Sequence, residues 1–248
     1  MGSFVKFLGA SIGWGLGGPL GAILGYALGN MVDLFSSKDV DEAFSKAKRH
    51  EGQNHPGDFE VSLLVLSSLV IKADGKVDQR ELDYVRSYFV QMYGKDRANA
   101  AFRLFKEIVK NKNINTAQVC AQIRVHLNPA SRLQLIHFLF GIAKADGQIQ
   151  ESEEGMIHTI SNYFYISAHD YQSVKAMFFK STDSAYVILE ITKDASDAEV
   201  KKAYRKMVKK YHPDRLVGLG DEAQKGGKQK FIEVQKAYEA IVEERKMN

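Results

Sequence analysis

The chain has 248 residues, enough for one large domain or two small ones, and its 45% hydrophobic and 26% charged residues are ordinary for a globular protein. A net charge of +4 is too mild to signal nucleic-acid binding by itself, so no nucleic-acid partner is expected and any partner signal must be local. The single cysteine, Cys120, excludes an internal disulfide and a cysteine-built zinc site; lying in an apolar stretch, it reads as a passive core thiol.

No charged residue occurs from Phe7 to Val32. As a helix, this run would extend ~39 Å, more than the ~30 Å hydrocarbon core of a bilayer. Gly9, Gly13, Gly17, Gly21, Gly25 and Gly29 recur every four residues, which on a helix makes one smooth face suited to close helix–helix approach. The expectation is a membrane anchor over residues 7–32, able to homodimerise through its glycine ladder. The rival is a glycine-rich helix or hairpin packed on protein. A cleaved signal peptide fits poorly, because the run is too long and lacks a clear small-residue cleavage site. Lys6 precedes the run, whereas Lys38, Lys46, Lys48 and Arg49 follow it, so a single pass would leave the bulk of the chain and the C-terminus in the cytoplasm. Residues 1–35 are thus read as the anchor. Residues 36–57 are read as a linker helix followed by a breaker segment containing Gly52, Pro56 and Gly57.

An internal repeat follows. Lys72-Ala73-Asp74-Gly75 recurs as Lys144-Ala145-Asp146-Gly147, each preceded by a nearly unbroken apolar run and followed by an acid-rich segment. An apolar run without alternation reads as a buried helix, and Asp-Gly supplies a turn. Further amphipathic segments at about 95–111, 116–127 and 168–180 complete an all-helical domain over residues 58–180 with pseudo-twofold symmetry. In an EF-hand register, Asp74, Gly75, Asp78 and Glu81 fall on loop positions, but the first and third ligand positions are Val70 and Lys72. Ile142 and Lys144 take those places in the second copy, so no metal is expected.

At the C-terminal end, Ser196-x-x-Glu199 is a capping box that starts a helix. Val200, Ala203, Tyr204, Met207 and Tyr211 form its apolar stripe, and Lys201, Lys202, Arg205, Lys206, Lys209 and Lys210 fill the rest. Pro213 bars the helical conformation at His212 and cannot continue the helix, so His212 and Asp214 should stand on an exposed turn. After a long loop, a second, antiparallel helix is expected to start near Lys228, with Phe231, Val234, Ala237, Tyr238 and Ile241 as its apolar face. No nucleophile or carboxylate constellation surrounds His212 in the sequence, so no catalytic residue, cofactor or enzymatic activity is expected.

These motifs carry resemblances. The repeated KADG turn, with an acid early in the following helix, resembles the TerB-like domain over ~120 residues. Tyr186-x-x-Leu189, AYRKMVKKYHPD ending at Asp214 and KFIEVQKAYEAI from Lys230 resemble the J-domain of the DnaJ family over residues 185–248. The order of glycine-rich membrane segment, TerB-like domain and C-terminal J-domain resembles DnaJ-family co-chaperones of the DjlA type. The resemblance implies an all-α architecture at the inner membrane and a DnaK-type ATPase chaperone as partner. His212, Pro213 and Asp214 would dock on that chaperone, the basic helix would meet an acidic surface, and ATP hydrolysis by the partner would be stimulated. The alternative is a TerB-like stress-response scaffold whose J-domain only recruits the chaperone.

Overall fold

The computed structural model describes residues 18–27, 56–179, 183–212 and 221–247, and gives the backbone alone for 56–58 and 221–229. The described residues are helices and turns with no strand, so the fold is all-α. The chain divides into two compact units, Met1–Leu127 and Asn128–Asn248.

The first unit holds α1 (residues 18–27), α2 (Pro56–Ile71), α3 (Gln79–Tyr93), α4 (Lys95–Lys110) and α5 (Thr116–His126). Pro56 opens α2, where its fixed φ suits the first turn and its missing N–H costs nothing. α2 is buried all round: Phe59, Leu63, Leu64, Val65, Leu66, Val70 and Ile71 form the centre of the core, and α4 and α5 pack on it. Cys120 lies in α5, fully buried; burial pushes its thiol pKa up to about 12 against a pull from Arg124, so it stays a protonated, passive thiol at neutral pH. In α1, Leu20, Ile23 and Ala27 are buried, and the Leu20 N–H donates to Gln122 Oε1 of α5 at 2.8 Å. At ~1.5 Å per residue the ten described residues of α1 span ~15 Å. Among the described residues no helix is long and apolar enough to cross a membrane. The remainder of the expected 7–32 anchor, with Gly9, Gly13, Gly17 and Gly29 of its ladder, lies outside the described residues, as does nearly all of the 36–57 linker.

The second unit holds α6 (Pro129–Ala143), α7 (Glu151–Tyr163), α8 (Ala168–Ala176), α9 (Ser184–Ile188), α10 (Asp197–Tyr211) and α11 (Asp221–Arg245). α6 is its centre, buried from Leu133 to Ala143 and packed against α7, α8 and α11. Phe140 stacks on Phe178 at 5.5 Å between centroids and meets Tyr171 at 5.7 Å, tying α6 to α8. Ser173 of α8 donates to the Ile188 carbonyl at 2.8 Å, tying α8 to α9.

One boundary differs from expectation. The last helix begins at Asp221, not near Lys228, and runs through Gly226 and Gly227. Each glycine costs ~1 kcal/mol relative to alanine. Asp221 and Glu222 favour the positive end of the helix dipole, and the packed stripe downstream supplies the nucleus from which the helix extends.

Candidate functional site

The site is built on the hairpin of α10 and α11. The Ser196 hydroxyl accepts from the Glu199 N–H at 3.4 Å, and the Glu199 carboxylate accepts from the Ser196 hydroxyl and from the Ser196 N–H, each at 2.7 Å; these last two contacts, the hydroxyl first, hold the Glu199 carboxyl below its ordinary pKa. Such a box fixes the first residue of the helix and contributes ~1 kcal/mol. Val200, Ala203, Met207 and Tyr211 are buried on one side, as the spacing of three and four requires. Tyr204, the fifth member of the expected stripe, is half-buried and stacks on Tyr238 at 4.1 Å.

Three contacts show that the helices run antiparallel: Asp197 meets Arg245 at 3.4 Å, Tyr204 meets Tyr238, and the His212 ring meets the edge of Phe231 at 6.2 Å. Arg245 closes the open end. Its Nε donates at 3.0 Å to the buried Tyr186 hydroxyl, which donates to Glu244 at 3.2 Å. Tyr186 is thereby a satisfied buried phenol rather than a free one.

α10 ends at Tyr211, and His212 takes φ −60° and ψ 132°, the extended conformation that a following proline demands. The His212 side chain is exposed. Pro213 and Asp214 lie outside the described residues. Lys201, Lys202, Arg205, Lys206 and Lys209 are all exposed along α10. Lys206 reaches Glu190 at 3.0 Å, a contact of ~0–1 kcal/mol at such an exposed ammonium.

Lys210 is different. Its side chain is only 24% exposed, and its ammonium is bonded to two carboxylates, Asp170 of α8 and Glu190 in the turn after α9. Burial would raise the Asp170 carboxyl, but the Lys210 hydrogen bond and charge, with help from Ser167, hold it below its ordinary value. The clamp is therefore intact at neutral pH and is lost only as pH falls through that lowered value. Of the six cations expected to face a partner, five are exposed and one, Lys210, is half-buried in the fold.

Sequence reasoning missed Asp170 and Glu190, because partners 40 and 20 residues from Lys210 leave no local pattern. It named Val234, Ala237 and Ile241 on the buried face of α11 but missed Lys230 there. Lys230, Val234, Ala237 and Ile241 are the buried set, at steps of four, three and four, while Phe231 is half-buried beside His212. A lysine four residues before Val234 on the same face was the available signal. Among the described residues no group of three or more His, Cys, Asp or Glu side chains is placed to hold a metal ion.

Comparison with known proteins bears on each part. Residues 60–176 match the family model for tellurite resistance protein TerB, residues 184–248 that for the DnaJ domain, and residues 1–49 that for the transmembrane domain of co-chaperone DjlA. The co-chaperone protein DjlA of Coxiella burnetii is 28% identical over 98% of this chain and 98% of its own. Those of Pasteurella multocida and Haemophilus influenzae are 27% and 25% identical, each over 95% of this chain and 96% of its own. No solved structure matches. With its three successive family matches and relatives similar from end to end, the chain belongs to the DnaJ-family co-chaperones of the DjlA type.

Proposed function

We propose that this protein is a membrane-anchored co-chaperone that stimulates ATP hydrolysis by a DnaK-type chaperone, docking through His212, Pro213 and Asp214 and through Lys201, Lys202, Arg205, Lys206, Lys209 and Lys210. The observation that carries this reading is an exposed imidazole at the extended end of a helix bearing five exposed cations. The chemistry resides in the partner: this chain positions and steers, and is not itself an enzyme. Opposite charge would speed encounter and set orientation more than it adds affinity. Lys210 joins that surface only by leaving Asp170 and Glu190, so the first encounter falls to the other five.

In this reading residues 1–35 anchor the chain in the inner membrane with its bulk in the cytoplasm, residues 36–57 link, residues 58–180 form the TerB-like domain and residues 185–248 the J-domain. The segment match over residues 1–49 supports the anchor. The packing of Leu20 on Gln122 favours the rival, a helix seated on protein. Carbonate extraction separates the two, since a spanning protein stays with the membrane pellet and a seated one is released.

The decisive experiment is single-turnover ATP hydrolysis by the chaperone in the presence of the full-length protein. His212→Gln is expected to reduce stimulation to the unstimulated rate with the helical circular-dichroism spectrum unchanged. Glu replacements of Lys201, Arg205 and Lys209 are expected to weaken stimulation, more so at low ionic strength. A His212→Gln protein that still stimulates would sink the proposal.

A further inference from the structure

A cavity of about 330 Å³ opens inside the second unit, between the start of α6, the turn after α7, the end of α10 and the Lys230 turn of α11. That volume lies at the lower end of the ~300–1,000 Å³ typical of small-molecule sites. Leu133, Phe164 and Ile166 supply apolar wall. Arg132, Lys210 and Lys230 supply cations, against the single carboxylate of Asp170, which Lys210 already occupies.

Two polar groups in this wall lack what their chemistry calls for. Lys230 is 3% exposed and, among the described residues, its ammonium has no carboxylate in contact; the Tyr211 ring lies 5.1 Å from the ammonium. Burial first, then the like charge of Lys210, drives the Lys230 pKa well down, with Asp170 pulling the other way. Gln134 is 1% exposed and its Oε1 accepts no hydrogen bond among the described residues. A buried amino group with no counter-charge to hold its proton and a buried acceptor without a donor each cost free energy that a fitting guest would return.

We propose that this cavity is a binding site for a small hydroxylated organic acid. The acid group pairs with Lys230, the hydroxyl donates to Gln134 Oε1, and the body lies against Leu133, Phe164 and Ile166. Lys210 and His212 complete the wall. On the function proposed above, an occupant would therefore bear on the end of the helix that meets the chaperone.

Isothermal titration of the full-length protein in detergent micelles with 4-hydroxybenzoate tests the site, with benzoate, 4-hydroxybenzamide and inorganic phosphate as comparators. The hydroxy acid is expected to bind saturably at one site. Removing its hydroxyl should weaken binding about fivefold, and neutralising its acid group at least tenfold. Phosphate, without an apolar body, should bind at least tenfold more weakly. Lys230→Met should bring the acid down to the level of the amide. Gln134→Leu should bring the hydroxy acid down to the level of benzoate and leave benzoate unchanged. Equal affinity for acid and amide, phosphate binding as tightly as the acid, or a cavity that holds water alone and binds none of the four would overturn the proposal. Should Gln134→Leu fail to fold, the four probes on the unaltered protein still decide it. Saturating 4-hydroxybenzoate is expected to change chaperone stimulation at least twofold. Binding with no such change would overturn the coupling, whereas a protein that never stimulates would instead overturn the proposed function.

Discussion

The two hairpins that share the Lys-Ala-Asp-Gly sequence turn in the same way and are packed in different ways. In the first, Ala73 N–H donates to Val70 and Gly75 N–H to Lys72; in the second, Ala145 donates to Ile142 and Gly147 to Lys144, all between 2.8 and 3.1 Å. Asp74 accepts from Lys76 N–H at 2.8 Å, and Asp146 from Gln148 N–H at 3.0 Å. Glu81 and Glu153, each 5% exposed, accept from the N-cap N–H of the helix that follows. The helices before the turn diverge. Ser67 and Ser68 of α2 turn their hydroxyls back onto Leu63 and Val65, whereas their counterparts in α6 are Leu139 and Phe140. Ser62 and Val65 correspond to Gln134 and His137. A locally determined turn can thus be copied intact while the helix beside it acquires new work. In α6 that work is to hold α8 through aromatic rings and to form one wall of the cavity beside α10 and α11.

The largest expected effect tests this divergence at one matched pair. Phe140→Ala removes a ring that touches Phe178 and Tyr171 and should cost ~3–5 kcal/mol in the second unit, read by chemical denaturation. Ser68→Ala, at the equivalent place, loses only a hydroxyl bonded within its own helix and should stay within ~1 kcal/mol. Equal costs would mean that the two helices are packed alike.

Lys230→Met is expected to stabilise the second unit by at least ~1 kcal/mol at neutral pH, since it removes a buried group that favours water. The groups around this ammonium are Lys210, Asp170, His137, Tyr211 and His212. Its folded pKa lies below the ordinary 10.5, so the unfolded chain binds the extra proton, and stability rises with pH from the lowered value towards 10.5. The difference between wild type and variant should therefore shrink as pH rises from neutrality towards 10.5. That window lies above the titration of His137, held low by burial, and below that of Tyr171 and Tyr211, pushed high by burial. A difference that does not change with pH would mean that Lys230 remains charged when folded.

Gly75 and Gly147 have φ of 80° and 105°, and an added Cβ would meet nothing within 4 Å at either place. Alanine at each should cost ~1–2 kcal/mol from backbone strain alone, and the two costs should agree. Unequal thermal shifts, corrected for the size of each unit, would show that the turns are not equivalent.

What could be read from the chain follows the range of the interactions. Asp-Gly turns, the Ser196 box, the cation-rich face and the stop at His212 depend on residues within about four positions of one another, and each stands where the sequence puts it. The Lys210 clamp, the buried Lys230 and the start of α11 depend on partners far along the chain. The first member of the α11 stripe was read one residue late because Phe231 is the more hydrophobic neighbour of Lys230. The α11 start was placed late because Gly226 and Gly227 look like a break unless the packing downstream is known. The glycine ladder is a case where periodicity was plain and its use was not: a face that suits another helix in lipid also suits one in water.

The smallest expected effect concerns the lysine that both turns share. Lys72 is half-buried, and its ammonium donates to the Asn111 carbonyl at 2.7 Å, closing the end of α4 onto the first turn; burial pulls its pKa down. Lys144 is exposed. Lys72→Met should cost the first unit ~1 kcal/mol, the net worth of one hydrogen bond from a charged donor reduced by the burial it relieves. Lys144→Met should change nothing measurable in the second. Hydrogen exchange at Asn113 and Ile114 offers a local check, because loosening the Asn111 carbonyl should free the segment just before α5 in the first variant alone. If the two substitutions cost the same, the lysine belongs to the turn itself and not to what the first copy has built around it.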